Sequence, residues 1–236
     1  MQRKQSVTSR LVGGLKRRAK KQYHLLVTVP RVGLAYLPPN FIFFPRFSSE
    51  SVVLDVGCGR EAELSRSLIQ KFGATAYAID PTRKHAASLA HISKVTGTRF
   101  VHLPVAMCDA DGPITFYESL ENESGSVRTD HANVRNDSIA AYEVEGLKPT
   151  SLLRKIGVKE ADLMKLDIEG AEYDLLSRME ARELRRFRQI FIEFHHHAIE
   201  GYVERDTYNF VSKIEACGFR AHTIDGHNFL FDRIAE

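Results

Sequence analysis

The sequence predicts an α/β fold in which a mostly parallel sheet ends in an antiparallel hairpin. From about residue 50 onwards, short apolar segments of strand length alternate with segments of helical spacing, which is the pattern of βα units. The first apolar segment, VVLDV (52–56), runs directly into Gly57 and Gly59. Near the end of the chain, two strand-like segments flank Asp225–Gly226, a turn signal typical of a hairpin.

Each predicted element follows from local composition. The predicted strands are apolar or β-branched runs of strand length, at 52–56, 75–80, 99–105, 162–167, 189–194, 219–224 and 228–233. The predicted helices lie between them, at 61–72, 83–95, 150–156, 171–179 and 204–216. In the last of these helices, Tyr208, Val211 and Ile214 follow a spacing of three or four residues, and Gly218 supplies the stop.

The chain divides into an extension and one domain. Residues 1–49 hold ten Lys or Arg and no acid, whereas residues 50–236, the predicted domain, carry a net charge of −7. Because the main body is acidic, nucleic acid is not an expected partner. The polar stretch 117–149 is expected to be a lid, since loops longer than about 12–15 residues are usually functional or disordered.

Acidic residues recur where the predicted parallel strands end. Ligands of such sheets bind beyond the carboxyl ends of the strands, so these side chains are expected to share one crevice. Following the five parallel strands in turn, the candidates are Asp55 with Gly57 and Gly59, then Asp80, then Ala106 with Asp109, then Asp167 with Glu169, and finally Glu193 with His195.

The charge of this crevice bears on the cofactor. The glycines resemble a dinucleotide fingerprint, but a carboxylate at Asp55 would repel a diphosphate, by roughly 4 kcal/mol for two like charges ~4 Å apart at an effective dielectric constant near 20. The sulfonium and ammonium groups of S-adenosylmethionine are positive and suit an acidic crevice. Asp80, 23 residues after Gly57, is the expected ligand of the ribose hydroxyls.

Four segments then point to a family. The sequences VVLDVGCG, AYAIDPT, LMKLDIEGAEYDLL and IFIEFH resemble the FkbM family of S-adenosylmethionine-dependent methyltransferases, over about residues 50–235. The resemblance implies the class I methyltransferase (Rossmann-like) fold, with seven strands ending in the antiparallel hairpin. It also implies methyl transfer to a hydroxyl group of a small molecule or a glycan.

The glycine loop departs from the family pattern. Where the family commonly has D-x-G-A-N-x-G, Gly59 takes the place of the Asn and Glu61 that of the last Gly. The alternatives to a methyltransferase are therefore a non-catalytic S-adenosylmethionine-binding or scaffold protein and, less favoured by the charge, an NAD(P)-dependent oxidoreductase.

The candidates for catalysis lie after the fourth and fifth strands. His195 is the first choice as general base, because an unperturbed imidazole titrates near pH ~6.5. Asp167 and Glu169 are the alternatives, as base or as groups that orient the acceptor, and with Glu193 they can hold a divalent ion. No metal is the expectation, since adjacent residues of the HHH sequence (195–197) point to opposite faces of a strand.

The remaining features bear on location. Cys58, Cys108 and Cys217 show no C-x-x-C spacing, so we expect neither a disulfide framework nor a zinc site, and a reducing cytoplasm is the expected compartment. No apolar run approaches 18 residues. The basic N-terminus is a helix packed through Leu11, Leu15 and Leu25, a disordered tail, or a segment that contacts an anionic membrane surface. Nothing in the sequence specifies the acceptor or the oligomeric state.

Overall fold

A computed structural model describes residue 27 and residues 29–234, and the predicted N-terminal helix with Leu11, Leu15 and Leu25 lies outside them. The strands are β1 (Ala35–Leu37), β2 (Phe41–Phe43), β3 (Val52–Val56), β4 (Thr75–Ile79), β5 (Phe100–Leu103), β6 (Ala106–Met107), β7 (Gly112–Ser119), β8 (Gly125–Ser126), β9 (Ile139–Leu147), β10 (Ala161–Leu166), β11 (Phe187–Glu193), β12 (Phe219–Thr223) and β13 (Asn228–Arg233). The α-helices are α1 (Val29–Arg31), α2 (Glu63–Phe72), α3 (Ala86–Thr96), α4 (Ala132–Arg135), α5 (Pro149–Lys155), α6 (Glu172–Arg178), α7 (Ala181–Leu184) and α8 (Glu204–Ala216).

The main sheet confirms the predicted architecture. Its seven strands lie in the order β12-β13-β11-β10-β3-β4-β5. From β11 to β5 all neighbours are parallel, and β13 pairs antiparallel with both β11 and β12. The central strands β10 and β11 are almost entirely buried, as expected for parallel strands covered on both faces. The predicted strands and helices agree with the observed bounds to within about two residues for most elements.

One helix illustrates how the sequence specifies packing. Helix α8 has the predicted bounds, and its buried side chains are Thr207, Val211 and Ile214. Tyr208, expected on the inner face, is 45% exposed, because the buried stripe begins one residue earlier. Gly218 follows the helix with φ of 91°, a left-handed conformation that favours glycine.

The polar stretch 117–149 differs from the flexible lid that its composition suggested. Strands β7 and β9 pair antiparallel from Gly112↔Gly146 to Ser119↔Ile139, and β6 and β8 extend them to a second sheet in the order β6-β9-β7-β8. The first seven residues of β9 alternate between exposed and half-buried, which is the burial pattern of a strand with one covered face. Only the short segments between these strands remain as loops.

The aromatic segment before the domain covers the main sheet. Strands β1 and β2 form an antiparallel pair, and the ring of Phe41 lies 5.2 Å from that of Phe191 on β11. The amide of Gln189 holds both backbone groups of Phe44, accepting from its N–H at 2.8 Å and donating to its carbonyl at 3.1 Å. These aromatic residues therefore pack against one face of the main sheet. Among the described residues, no helix combines the length and the apolar character needed to span a membrane.

Candidate functional site

A cavity of about 220 Å³ opens beyond the carboxyl ends of β3 and β4. Its lining includes four residues predicted to contact a cofactor, Gly57, Gly59, Asp80 and Ala106. Asp167 and Glu169, predicted for catalysis, also line it. The expectation that the strand ends share one crevice is therefore met by these residues.

The glycine loop is shaped by close contact with the next strand. Gly57 has φ of 68°, and a Cβ built on it would lie 1.7 Å from the carbonyl oxygen of Asp167. Gly59 has φ of 64° but faces open space. Gly57 is thus required both by its backbone angle and by the approach of another chain segment, and Gly59 by its angle alone. Glu61, the departure from the family pattern, has a side chain 62% exposed and does not line the cavity.

Asp80 is buried at the base of the glycine loop, and both of its carboxylate oxygens accept hydrogen bonds. Its Oδ1 accepts from the N–H of Thr82 at 2.9 Å, and its Oδ2 accepts from the N–H of Gly59 at 3.0 Å and lies 3.1 Å from His85 Nδ1. Burial raises the pKa of Asp80, but the hydrogen bonds of His85 and Thr82 outweigh it, so the pKa lies below its usual value. Asp80 therefore stays ionised and fixes the loop to the end of β4.

His85 was not predicted as a site residue. Its ring is buried between Asp80 and Glu123, with Nε2 2.8 Å from Glu123 Oε2. Burial lowers the pKa of His85, but both carboxylates outweigh that effect and raise it. The spacing of five residues after Asp80 was a signal in the sequence, but Glu123 lies 38 residues further on.

The position of Asp55 differs from the sequence prediction that it contacts the cofactor. It is 1% exposed and does not line the cavity. Its Oδ2 accepts from the N–H and the hydroxyl of Ser65, in the first turn of α2, at 3.2 and 2.7 Å. The carboxylate therefore turns toward the amino end of the helix, where the peptide dipoles favour negative charge, and not toward a ligand.

Lys165 is the partner of Asp55. The Nζ atom lies 3.7 Å from Asp55 Oδ1 and 3.2 Å from Asp167 Oδ2, and it donates to the carbonyl of Gly57. Its side chain is 3% exposed. Burial lowers the pKa of Lys165, but Asp167 and Asp55 outweigh it and raise the pKa above its usual value. One buried ammonium thus links the end of β3 and its glycine loop to the residue that follows β10.

The position of Asp109 also differs from the prediction that it contacts the cofactor. It does not line the cavity, and its nearest ionic contact is Arg178 at 3.8 Å, between two largely exposed side chains. The chain leaves the cavity after Ala106 and Met107, which form strand β6 of the second sheet, so a residue three positions on is carried outward.

A second cavity, of about 410 Å³, adjoins the first. All four residues predicted for catalysis line it, Asp167, Glu169, Glu193 and His195, and the first two are common to both cavities. Glu169 has φ of 53°, a conformation that strains a non-glycine residue and occurs mainly at functional sites. The structure therefore brings the predicted catalytic group together at the boundary between two cavities.

His195 is held by a buried carboxylate. Its Nδ1 lies 3.2 Å from Oε1 of Glu172, which is 0% exposed and also accepts from the N–H of Ile168 at 2.7 Å. Burial lowers the pKa of His195, but Glu172, followed by Asp167 and Glu169, outweighs that effect and raises it to about 10. These carboxylates favour the protonated imidazole, so the surroundings of His195 do not favour its expected role as a general base.

Glu193 differs from its neighbours in having no partner. Within the described part of the chain its side chain forms no hydrogen bond and no ion pair, although it lines the second cavity. Burial and the charge of Asp167 raise the pKa of Glu193 well above its usual value. This carboxylate is free to bind a hydroxyl group.

His131 completes the second cavity and was missed by sequence reasoning. It lies between β8 and β9 and is positioned by a bridge to Ile199 and by the N–H of Ala132, which donates to the carbonyl of Ala198 at 2.8 Å. It belongs to no recognisable motif, so only the tertiary fold reveals it.

Comparison with protein families agrees with this geometry. The model described as "Methyltransferase FkbM domain" matches residues 44–221. The chain belongs to the FkbM methyltransferase family. A search of curated proteins found no match.

Solved structures resemble this FkbM chain in fold. Methyltransferase FkbM from Methylobacillus flagellatus KT superposes with a TM-score of 0.50 and 17% identity, over 79% of this chain and 44% of that one. The chain thus spans less than half the length of that neighbour. For Aeropyrum pernix fibrillarin in complex with natively bound S-adenosyl-L-methionine, the TM-score is 0.43 and the identity 9%, over 87% of this chain and 72% of that one. For M. capricolum TrmK in complex with S-adenosyl-homocysteine, the TM-score is 0.40 and the identity 13%, over 80% of this chain and 64% of that one. The sheet and the first of these likenesses confirm the class I methyltransferase fold.

Proposed function

We propose that this chain is an S-adenosylmethionine-dependent O-methyltransferase that acts on a hydroxyl group of a small molecule or a glycan. The observation that carries the proposal is the pair of adjoining cavities that share Asp167 and Glu169. One cavity would hold the methyl donor and the other the acceptor, so that the two reacting groups meet at the shared boundary.

The first cavity suits the donor by its charge. Asp80, Glu123, Asp167 and Glu169 line it, and like charges ~4 Å apart cost roughly 4 kcal/mol at an effective dielectric constant near 20, which disfavours a diphosphate. The same carboxylates favour a sulfonium and an ammonium group. Asp80 is the residue that would hold the ribose. Its oxygens already accept from the N–H groups of Thr82 and Gly59, so the ribose would bind while these two hydrogen bonds keep the glycine loop in place.

When bound, S-adenosylmethionine supplies an activated methyl group, which passes to the acceptor oxygen while the sulfur keeps the electron pair of the broken bond. The residues of the chain then have to align the acceptor, exclude water and take the hydroxyl proton. Alignment alone can lower a barrier by roughly 7–11 kcal/mol in favourable cases. Glu193 is our candidate for accepting the proton, because it lines the second cavity and has no partner among the described residues. Asp167 is tied to Lys165, and Glu169 accepts from Ser124 at 2.8 Å.

Calorimetry with the full chain tests the donor. We expect one S-adenosylhomocysteine per chain and no binding of NADH, and we expect Asp80→Asn to weaken S-adenosylhomocysteine binding at least tenfold. Glu61→Gly is the matched control, since Glu61 is exposed beside the same loop and its replacement should leave affinity unchanged. Binding of NADH without S-adenosylhomocysteine would overturn the proposal.

Transfer of a tritiated methyl group to a panel of hydroxylated small molecules and glycans tests the reaction. Labelling of amines or nucleic acid in place of hydroxyl groups would overturn the assignment of the acceptor. Donor binding with no labelling of any acceptor would favour the non-catalytic alternative.

A further inference from the structure

We propose that the second cavity is also a binding site for a divalent metal ion, held by His195, Glu169 and His131. The inference deepens the proposed function and rests on it, because the ion would sit where the acceptor hydroxyl is expected. Among the described residues, His131, Glu169 and His195 offer ligand atoms that all lie within 4.8 Å of one another.

The distances around His195 fit an ion better than direct contacts. Its Nε2 lies 3.6 Å from Asp167 Oδ1 and 3.8 Å from Glu169 Oε2. Both distances are too long for hydrogen bonds, which require about 2.7–3.2 Å between heavy atoms. An ion with bonds of about 2.0–2.2 Å to both Nε2 of His195 and Oε2 of Glu169 bridges their gap of 3.8 Å without large movements.

His195 is oriented as a metal ligand usually is. Its Nδ1 faces Glu172 Oε1 at 3.2 Å, and the same oxygen is fixed by the N–H of Ile168 at 2.7 Å. A carboxylate that accepts from one ring nitrogen directs the other ring nitrogen, here Nε2, toward the metal. Glu172 is completely buried, so this orientation is rigid.

An independent observation comes from two buried atoms that lack partners. His131 has a side chain 1% exposed, and its Nε2 has no hydrogen bond although it lies 3.1 Å from Glu169 Oε2. Glu169 Oε2 is likewise buried without a hydrogen bond. Native structures rarely leave such atoms unsatisfied, and a bound ion is one of the established explanations. Coordination of His131 requires its long contact with the N–H of Asn133, 3.3 Å from Nδ1, to open.

The donor set indicates the kind of ion. Imidazole nitrogen together with carboxylate oxygen suits first-row divalent ions such as Mn²⁺, Fe²⁺ or Zn²⁺. Protein ligands from one side leave coordination positions facing the cavity, where a hydroxyl group can bind. An ion there lowers the pKa of the bound hydroxyl and positions its oxygen, and Glu193 lies in the same cavity to take the proton.

A second histidine cluster serves as the internal comparison. His196, His197 and His227 also bring ligand atoms within 4.8 Å of one another. The rings of His196 and His227 are stacked, with centroids 4.9 Å apart and planes at 26°, so their nitrogen lone pairs run side by side and do not converge on one point. His197 lines the second cavity but is not a ligand of the proposed ion.

Titration of the full chain with Mn²⁺ alone, followed by the electron paramagnetic resonance signal of the free ion, tests the proposal. We expect one site per chain, weakened at least tenfold by Glu169→Gln and by His195→Gln and unchanged by His197→Gln. Two variants are used so that misfolding of one, detected by circular dichroism, leaves the other informative. No binding by the native chain, retention of binding in both ligand variants, or loss in His197→Gln would overturn it. Calorimetry with S-adenosylhomocysteine on the same samples reports separately on the proposed function.

Discussion

Replacing Lys165 with methionine removes the only buried ammonium that the described residues place between Asp55 and Asp167 while keeping most of the side-chain volume. At 3.7 and 3.2 Å, each charge pair is worth about 4–5 kcal/mol at an effective dielectric constant of about 20, and burial of the ions offsets much of this. Removing one partner of a buried pair typically costs about 3–5 kcal/mol, because the remaining charges stay buried. We therefore expect Lys165→Met to lower the free energy of unfolding by about that amount.

The assay is urea unfolding of the full chain followed by circular dichroism. Lys155→Met is the matched control, since Lys155 pairs with Glu145 at 2.6 Å on the surface, with both side chains more than 40% exposed, and such pairs contribute at most about 1 kcal/mol. The double variant Lys165→Met with Asp55→Asn should be less destabilised than the sum of the single changes, since it removes one orphaned charge. A loss in Lys165→Met no larger than in Lys155→Met would refute the reasoning.

Three further outcomes are expected. Gly57→Ala should destabilise the chain by more than about 3 kcal/mol in urea unfolding and abolish S-adenosylhomocysteine binding, because the added Cβ would lie 1.7 Å from a carbonyl oxygen. Gly59→Ala should cost only the roughly 1–3 kcal/mol of its backbone angle, since its Cβ would face open space. Equal effects of the two substitutions would contradict the close contact at Gly57. The pKa of His85 is raised in the folded chain, so its charged pair with Asp80 stabilises the fold fully below pH ~6.5, and this stabilisation is lost as pH rises through the folded pKa. The difference in the free energy of unfolding between the native chain and His85→Gln should therefore be larger at pH 5.5 than at pH 9. A difference that grows with pH would refute this pH dependence. Glu193→Gln should slow methyl transfer by about 10²–10⁴-fold with S-adenosylhomocysteine affinity within about threefold, whereas an unchanged rate would exclude it as the proton acceptor.

The sheet was predictable because its information is local. The apolar runs, the glycine stops and the Asp225–Gly226 turn are each recognisable from a few neighbouring residues of the sequence. The same argument placed Asp80, Asp167 and Glu169 at one edge, since every parallel strand ends there. Strand-end position alone was not sufficient, since Asp55 and Asp109 were predicted at the same edge and do not line the cavity.

Side-chain direction and charge state were not predictable in the same way. Asp55 and Lys165 are 110 residues apart, and the alternation along a strand does not tell which face meets the ligand and which meets a helix. The residue type of His195 suggested a base, but its pKa depends on Glu172, whose role as a buried partner appears only when the helix is packed. The polar composition of 117–149 suggested mobility, although residues 139–145 alternate like a half-covered strand.

The small sheet formed by β6 to β9 contributes to both cavities. The segment Glu123–Val127, which includes β8, lines the first, and His131, eight residues after Glu123, lines the second. Met107 of β6 and Leu147 of β9 are also buried in the same hydrophobic core as strands β3, β10 and β11. A substitution in this small sheet can therefore disturb the packing of the main core as well as the lining of the two cavities.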